Sequence, residues 1–289
     1  MKNNKEKNSK NNPQIIDGKR VQAFLHSGGL GDIIWSLPFI ISQEGGDLYI
    51  RNHCQVSATN RQFNGLFKIL TCQPYFRKIM EYPQEYGEKE MFGKGSKMGK
   101  INTNKKVEYS SEIELDFDLD YFRISPKLNK EHLITSYFTV NNVPTSKLPL
   151  PFIILDENFD FKNKELNKRV EIPNGKFNAF HITQRYRCEF DWEKLIKNQK
   201  NPNYYIGLKE EYDDIIKDYD VKEDLIFYGD KVKDMFDMAI MIKNSDKFYC
   251  NPSVAQCLAV GLNKPYTLVK NKNQGGVQTN LPMETVINK

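Results

Sequence analysis

The sequence predicts an α/β fold of two parallel-sheet domains facing a cleft, and three observations carry that prediction. Short apolar runs alternate with amphipathic stretches of helical period along most of the chain. A glycine-rich turn, Ser27 to Gly31, separates the first such run from the first helical stretch. A polar, charged segment from Asp156 to Gly175 divides the chain into halves that share this rhythm. Strands joined through helices need crossovers and therefore lie parallel.

Taken in order, Val21 to Leu25 reads as the first strand and Asp32 onward as a helix. Leu48 to Ile50 reads as the second strand, and Phe63 to Leu70 returns to helical spacing. Tyr82 to Lys106, rich in Gly, Lys and Glu, reads as a long loop. Glu112 to Tyr121 alternates: Ile113, Leu115, Phe117, Leu119 and Tyr121 share one face, with five carboxylates on the other. Period two means a half-buried strand. It accounts for both D-x-D triplets without a metal, and no metal site is expected. Asn129 to Val140 reads as a helix and Phe152 to Leu155 as a strand.

The second half is more regular. Strands are expected at Phe177 to Ile182, Tyr204 to Leu208, Leu225 to Tyr228, Lys247 to Cys250 and Tyr266 to Val269. Helices fall at Asp191 to Asn198, Glu210 to Tyr219, Lys233 to Lys243 and Ser253 to Leu262. The expected organisation is a tail over residues 1–13, a first Rossmann-like domain over 14–160 and a second over 161–289. The strand carboxyl ends of the two sheets would meet at the cleft.

Composition narrows the function. The chain has 289 residues, with 39% hydrophobic and 12% aromatic, enough for packed cores. Its longest apolar run, near Ile33 to Ile41, is too short to span a bilayer and contains Pro38. The Lys- and Asn-rich N-terminus has no apolar segment behind it, so a cytoplasmic protein is expected. Five scattered cysteines show neither C-x-x-C nor zinc-finger spacing and read as reduced thiols. A net charge of +5 suits an anionic ligand without forming a nucleic-acid stripe.

The turn Gly28-Gly29-Leu30-Gly31-Asp32 lets a ligand approach the backbone, and the helix that follows presents free N–H groups. A dinucleotide fingerprint fails here, because Ile34 stands at its third glycine position and no acid ends the second strand. Asp32 is either a helix cap or a general base kept ionised by the helix dipole. Ser253 likewise either caps its helix or marks an N-terminus aimed at a diphosphate.

The segment Ser27 to Pro38 resembles the opening motif of the heptosyltransferase-like glycosyltransferases, with Gly-Asp and Pro in register. Asn251 to Pro265 resembles that family's second motif without a gap, at Asn251, Ser253, Leu258, Ala259, Leu262 and Pro265. The resemblance implies a GT-B architecture and Asp32 as the base of an inverting transfer. It implies donor contacts from Thr183, Arg185 and Arg187 after the first strand of the second domain, from Glu210 near the nucleoside, and from Asn251 and Ser253. The nucleotide-sugar is a substrate, so no cofactor is expected. Pro252, Val254 and Cys257 stand where the family has Asp, Gly and His, and His26 replaces a basic residue before the glycine turn.

Transfer from a nucleotide-sugar donor to a saccharide or glycolipid acceptor is the leading reading. A second keeps the fold and places the sugar on modified bases of nucleic acid, as in a phage enzyme. A third is a nucleotide-sugar-binding module without turnover.

Overall fold

A computed structural model of the chain describes residues 15–16, 19–26, 29–50, 60–81, 115–119, 132–144, 149–161, 167–274 and 279–288. The expected tail, Gly28 of the glycine turn, the 82–106 loop and most of the Glu112 to Tyr121 alternation lie outside these residues.

Two strand pieces, β1 (Ile15–Ile16) and β2 (Lys19–Arg20), pair antiparallel ahead of the first sheet. The first half then runs β3 (Gln22–His26), α1 (Leu30–Ser42), β4 (Gly46–Ile50), α2 (Asn60–Thr71), β5 (Phe76–Glu81), β6 (Phe117–Asp118) and α3 (Leu133–Val140). Its sheet is parallel, in the order β5-β4-β3-β6. The second half runs β7 (Asn178–His181), α4 (Trp192–Lys197), β8 (Asn203–Tyr205), α5 (Lys209–Asp218), β9 (Leu225–Phe227) and α6 (Met235–Asn244). It ends with β10 (Lys247–Cys250), α7 (Val254–Gly261), β11 (Tyr266–Lys270) and β12 (Glu284–Asn288). Its sheet is parallel throughout, in the order β12-β11-β10-β7-β8-β9. The α/β class and the two parallel sheets are as expected from the sequence.

Three elements differ from that expectation. No strand is expected at β5, where Arg77 and Lys78 interrupt the apolar pattern; Arg77 is held by the Asp47 carboxylate of β4. β12 is a short edge strand with polar positions. Phe152 to Leu155 is not a strand: its backbone is taken up elsewhere. The N–H groups of Phe152 and Ile153 both donate to Gly261 O, each at 2.9 Å. The Gln73 amide brackets Ile154, accepting from its N–H at 2.8 Å and donating to its carbonyl at 3.0 Å. Tyr75 Oη donates to Phe152 O at 2.8 Å. This strap thus joins the first half (Gln73, Tyr75) to the end of α7 in the second.

α1 is apolar on nearly every face and buried from Ile33 to Ile40, the mark of a helix enclosed by the protein. It packs on α3 of its own half and on α7 of the other, while α2 packs on α6. One apolar core consequently runs through both halves, from Phe24, Leu48 and Ile69 to Phe236, Ile240 and Leu258. A second core, with Phe180, Trp192, Tyr205 and Ile215, lies in the C-terminal half. At the α2–α6 contact, a Cβ on Gly65 would stand 2.4 Å from the backbone nitrogen of Met235, so only glycine allows this approach. Among the described residues no helix is long and apolar enough to cross a membrane.

Candidate active site

Parallel sheets bind ligands beyond the carboxyl ends of their strands, where the strand order reverses. That point lies between β3 and β6 in the first sheet and between β7 and β10 in the second. The chain leaving β3 enters α1, and the chain leaving β10 enters α7. The starts of these two helices touch. A Cβ on Gly31 would stand 3.1 Å from Cys257 Sγ and 3.9 Å from Val254 Cα. The glycine at position 31 is therefore a close-approach residue, and it brings Asp32 to the start of α7, where Ser253 holds the N-cap position without a side-chain capping bond.

Asp32 is half-buried in the first turn of α1, and its Oδ2 accepts the Gly29 N–H at 3.0 Å. This is the carboxylate half of a capping box, with Gly29 as N-cap in an extended conformation. The cap expected of Asp32 and its placement at the junction coexist in one side chain. Behind it, Tyr137 Oη donates to Asp32 O at 2.7 Å and lies 3.0 Å from His26 Nε2. With the phenol proton committed to the carbonyl, His26 Nε2 is the donor to the phenol oxygen, which assigns its tautomer. His26 is fully buried and braces the start of α1 from below.

On the facing side, His181 ends β7 and its Nδ1 lies 3.3 Å from Ser253 Oγ. Burial pushes the His181 imidazole down to about 4, so it is neutral near pH 7. Asn251 is fully buried and clasps Thr183: Oδ1 accepts the Thr183 N–H at 2.9 Å, and Nδ2 donates to the Thr183 carbonyl at 2.7 Å. The Thr183 hydroxyl lies 3.3 Å from the same Oδ1. The pair thus locks together the two loops that flank the strand reversal.

The expected basic pair separates. Arg185 is exposed on a single 3-10 turn, Gln184–Tyr186, over the Tyr186 ring. Arg187 is bound to Asp218 at 2.6 Å, at the far end of α5. Glu210 is exposed in the first turn of α5, whereas its neighbour Glu211 is half-buried and its Oε2 lies 3.3 Å from Tyr205 Oη. Burial raises the Glu211 carboxyl, against hydrogen bonds from the Leu208 and Gln184 backbone. Helical phase carried the signal for Glu211, which stands four residues before the buried Ile215. His181 had none beyond its place at a strand end.

Cys257 is buried, and its Sγ donates to Ser253 O at 3.3 Å. Burial first, and then the Asp32 charge, raise this thiol, so it stays protonated. No disulfide joins Cys72, Cys188, Cys250 or Cys257, and Cys54 lies outside the described residues. Because Gly31 closes on Cys257, Cys257→His should wedge α1 from α7 and cost about 1–3 kcal/mol. Urea denaturation midpoints measure that loss. Acid should also destabilise the fold through buried histidines. His181 at about 4 and His132, pushed down to about 3, bind fewer protons folded than unfolded, where the value is near 6.5. Stability is then complete above about pH 6.5 and falls as pH drops toward 4. At pH 5 His181 alone should cost about 2 kcal/mol, and His181→Gln should flatten that slope.

No protein-family model matches the chain, and no curated protein matches it in sequence. Solved structures do match in shape. The glycosyl transferase family 9 protein of Veillonella parvula superposes with a TM-score of 0.52 at 9% identity, covering 92% of this chain and 85% of its own. E. coli heptosyltransferase WaaC with ADP-2-deoxy-2-fluoro heptose superposes with a TM-score of 0.53 at 8% identity, covering 92% of each chain. At these identities the likeness is one of fold: the chain carries the two-sheet architecture of the family 9 glycosyltransferases and heptosyltransferases.

Proposed function

We propose that this protein is a glycosyltransferase that moves a sugar from a nucleotide-sugar to a saccharide or glycolipid acceptor, with inversion and without a metal. One observation carries the reading: the carboxylate of Asp32 stands where the start of α1 meets the start of α7, at the strand reversals of two parallel sheets. An acceptor oxygen attacks the anomeric carbon and gives its proton to Asp32. The bond from that carbon to the diphosphate breaks, and its electron pair stays on the leaving phosphate oxygen. N–H groups opening α7, the Ser253 hydroxyl and Arg185 stabilise the charge that develops there. The capping bond from Gly29 fixes the carboxylate, and the Thr183–Asn251 clasp fixes the opposing loops.

The test is a thermal-shift screen with ADP-, GDP-, UDP-, CMP- and dTDP-sugars, followed by a transfer assay on the binders. ADP-sugars come first, since the E. coli neighbour was solved with one. Transfer should survive EDTA, and Arg185→Gln should slow it by roughly tenfold to a hundredfold. Binding without turnover on any acceptor would make the protein a nucleotide-sugar-binding module. Activity abolished by EDTA and restored by a divalent ion would overturn the metal-free mechanism.

A further inference from the structure

At the other end of the C-terminal sheet, a pocket of about 290 Å³ opens at the amino ends of β7 and β10, opposite the strand reversal. Three lysines, Lys176, Lys200 and Lys247, line it against one carboxylate, Asp246, which already accepts from Asn201 Nδ2 at 2.8 Å. The ordinary role for such lysines is to offset the negative ends of nearby helices. Here that role is filled by others. The last turn of α4 carries Lys194 and Lys197, and Lys264 Nζ donates to the Lys243 and Ser245 carbonyls at the end of α6.

A buried amide supplies the second observation. Asn203 Nδ2 donates to Ile196 O and Asp224 O, each at 3.0 Å, so Asn203 Oδ1 must be the atom turned toward Asn178. Asn178 Nδ2 donates to it at 2.9 Å and to Asn201 O at 3.3 Å. These bonds fix the orientation of the Asn178 amide. Its Oδ1 is a buried acceptor with no partner, on a residue that is 1% exposed and lines the pocket. A buried acceptor of this kind favours a ligand with a donor to offer.

We propose that this pocket is a binding site, separate from the α1–α7 junction, for a small phosphorylated polyol. A ligand hydroxyl donates to Asn178 Oδ1, and the phosphate sits among Lys176, Lys200 and Lys247. A hydrogen phosphate dianion is a small ion with one P–OH that leaves most of the pocket unfilled, and a neutral sugar leaves the lysines unused. The volume matches about ten waters at about 30 Å³ each, the scale of a monosaccharide phosphate.

Calorimetric titration of the full chain with glucose 6-phosphate, glucose and inorganic phosphate tests this, alongside Lys176→Gln/Lys200→Gln and Arg185→Gln variants. Saturable binding of glucose 6-phosphate is expected, about tenfold or more tighter than either fragment. The lysine variant should weaken it by about tenfold or more, and Arg185→Gln should leave it unchanged. Both lysines are exposed, so the variant folds, and its denaturation curve checks that. Inorganic phosphate binding as tightly as the sugar phosphate would overturn the proposal. So would an absence of saturable heat, or a loss of binding confined to Arg185→Gln.

Discussion

Asp32→Asn should lower the rate of sugar transfer by about 10²- to 10⁴-fold while leaving nucleotide-sugar affinity within about twofold. The substitution separates chemistry from structure. An asparagine oxygen still accepts the Gly29 N–H, so the first turn of α1 keeps its cap. What disappears, in the proposed reaction, is the group that takes the proton from the acceptor hydroxyl. Asp32→Ala should behave differently, adding a stability loss of about 1 kcal/mol from the missing cap. Single-turnover transfer and calorimetry on the same preparations distinguish the two effects. Undiminished transfer by Asp32→Asn would remove this side chain from the reaction.

The largest expected stability effect lies at the α2–α6 contact. Lys68 Nζ stands 2.6 Å from Asp234 Oδ2, with side chains only 6% and 7% exposed. Asp234 is the N-cap of α6, and its Oδ1 accepts from the N–H groups of Phe236 and Asp237. One turn on, the fully buried Asp237 binds the N–H groups of Val170 and Lys233. Burial first, and then the charge of Asp234, raise the Asp237 carboxyl, with Lys68 opposing them. Lys68→Met removes the ammonium from this pair of acids, and the expected cost is about 3–5 kcal/mol. Adding Asp234→Asn should recover most of it, since asparagine still caps α6 and carries no charge. Urea denaturation of the single and double variants measures both. A single variant within about 1 kcal/mol of the parent would show that the pair does not hold the halves together.

Much of this was legible in the sequence, for physical reasons. In the C-terminal half, short unbroken apolar runs and helical spacing alternate cleanly because a sheet covered on both faces needs strands buried at every position, as in β7. Asp32 and Ser253 were visible because a glycine turn and a helix start are local signals. Interactions that join distant segments left no such trace. Lys68 and Asp234 are 166 residues apart, and only Gly65, a glycine within a helical pattern, marked the contact. Asn251 stands out in its motif, but its clasp on Thr183, 68 residues away, was not legible. Phe152 to Leu155 has a strand's composition, but a side-chain amide and a helix-end carbonyl claim its hydrogen bonds before any neighbouring strand does.

That strap governs how the molecule can move. A slack tether would let the two halves drift independently, but residues 152–154 are riveted to Gln73 and Tyr75 on one side and to Gly261 on the other. Any relative motion that keeps these bonds must carry residues 152–154 along with both halves, which limits it to small shear. Gln73, whose amide holds Ile69 of α2 and Ile154 of the strap, is thereby a buckle between the halves.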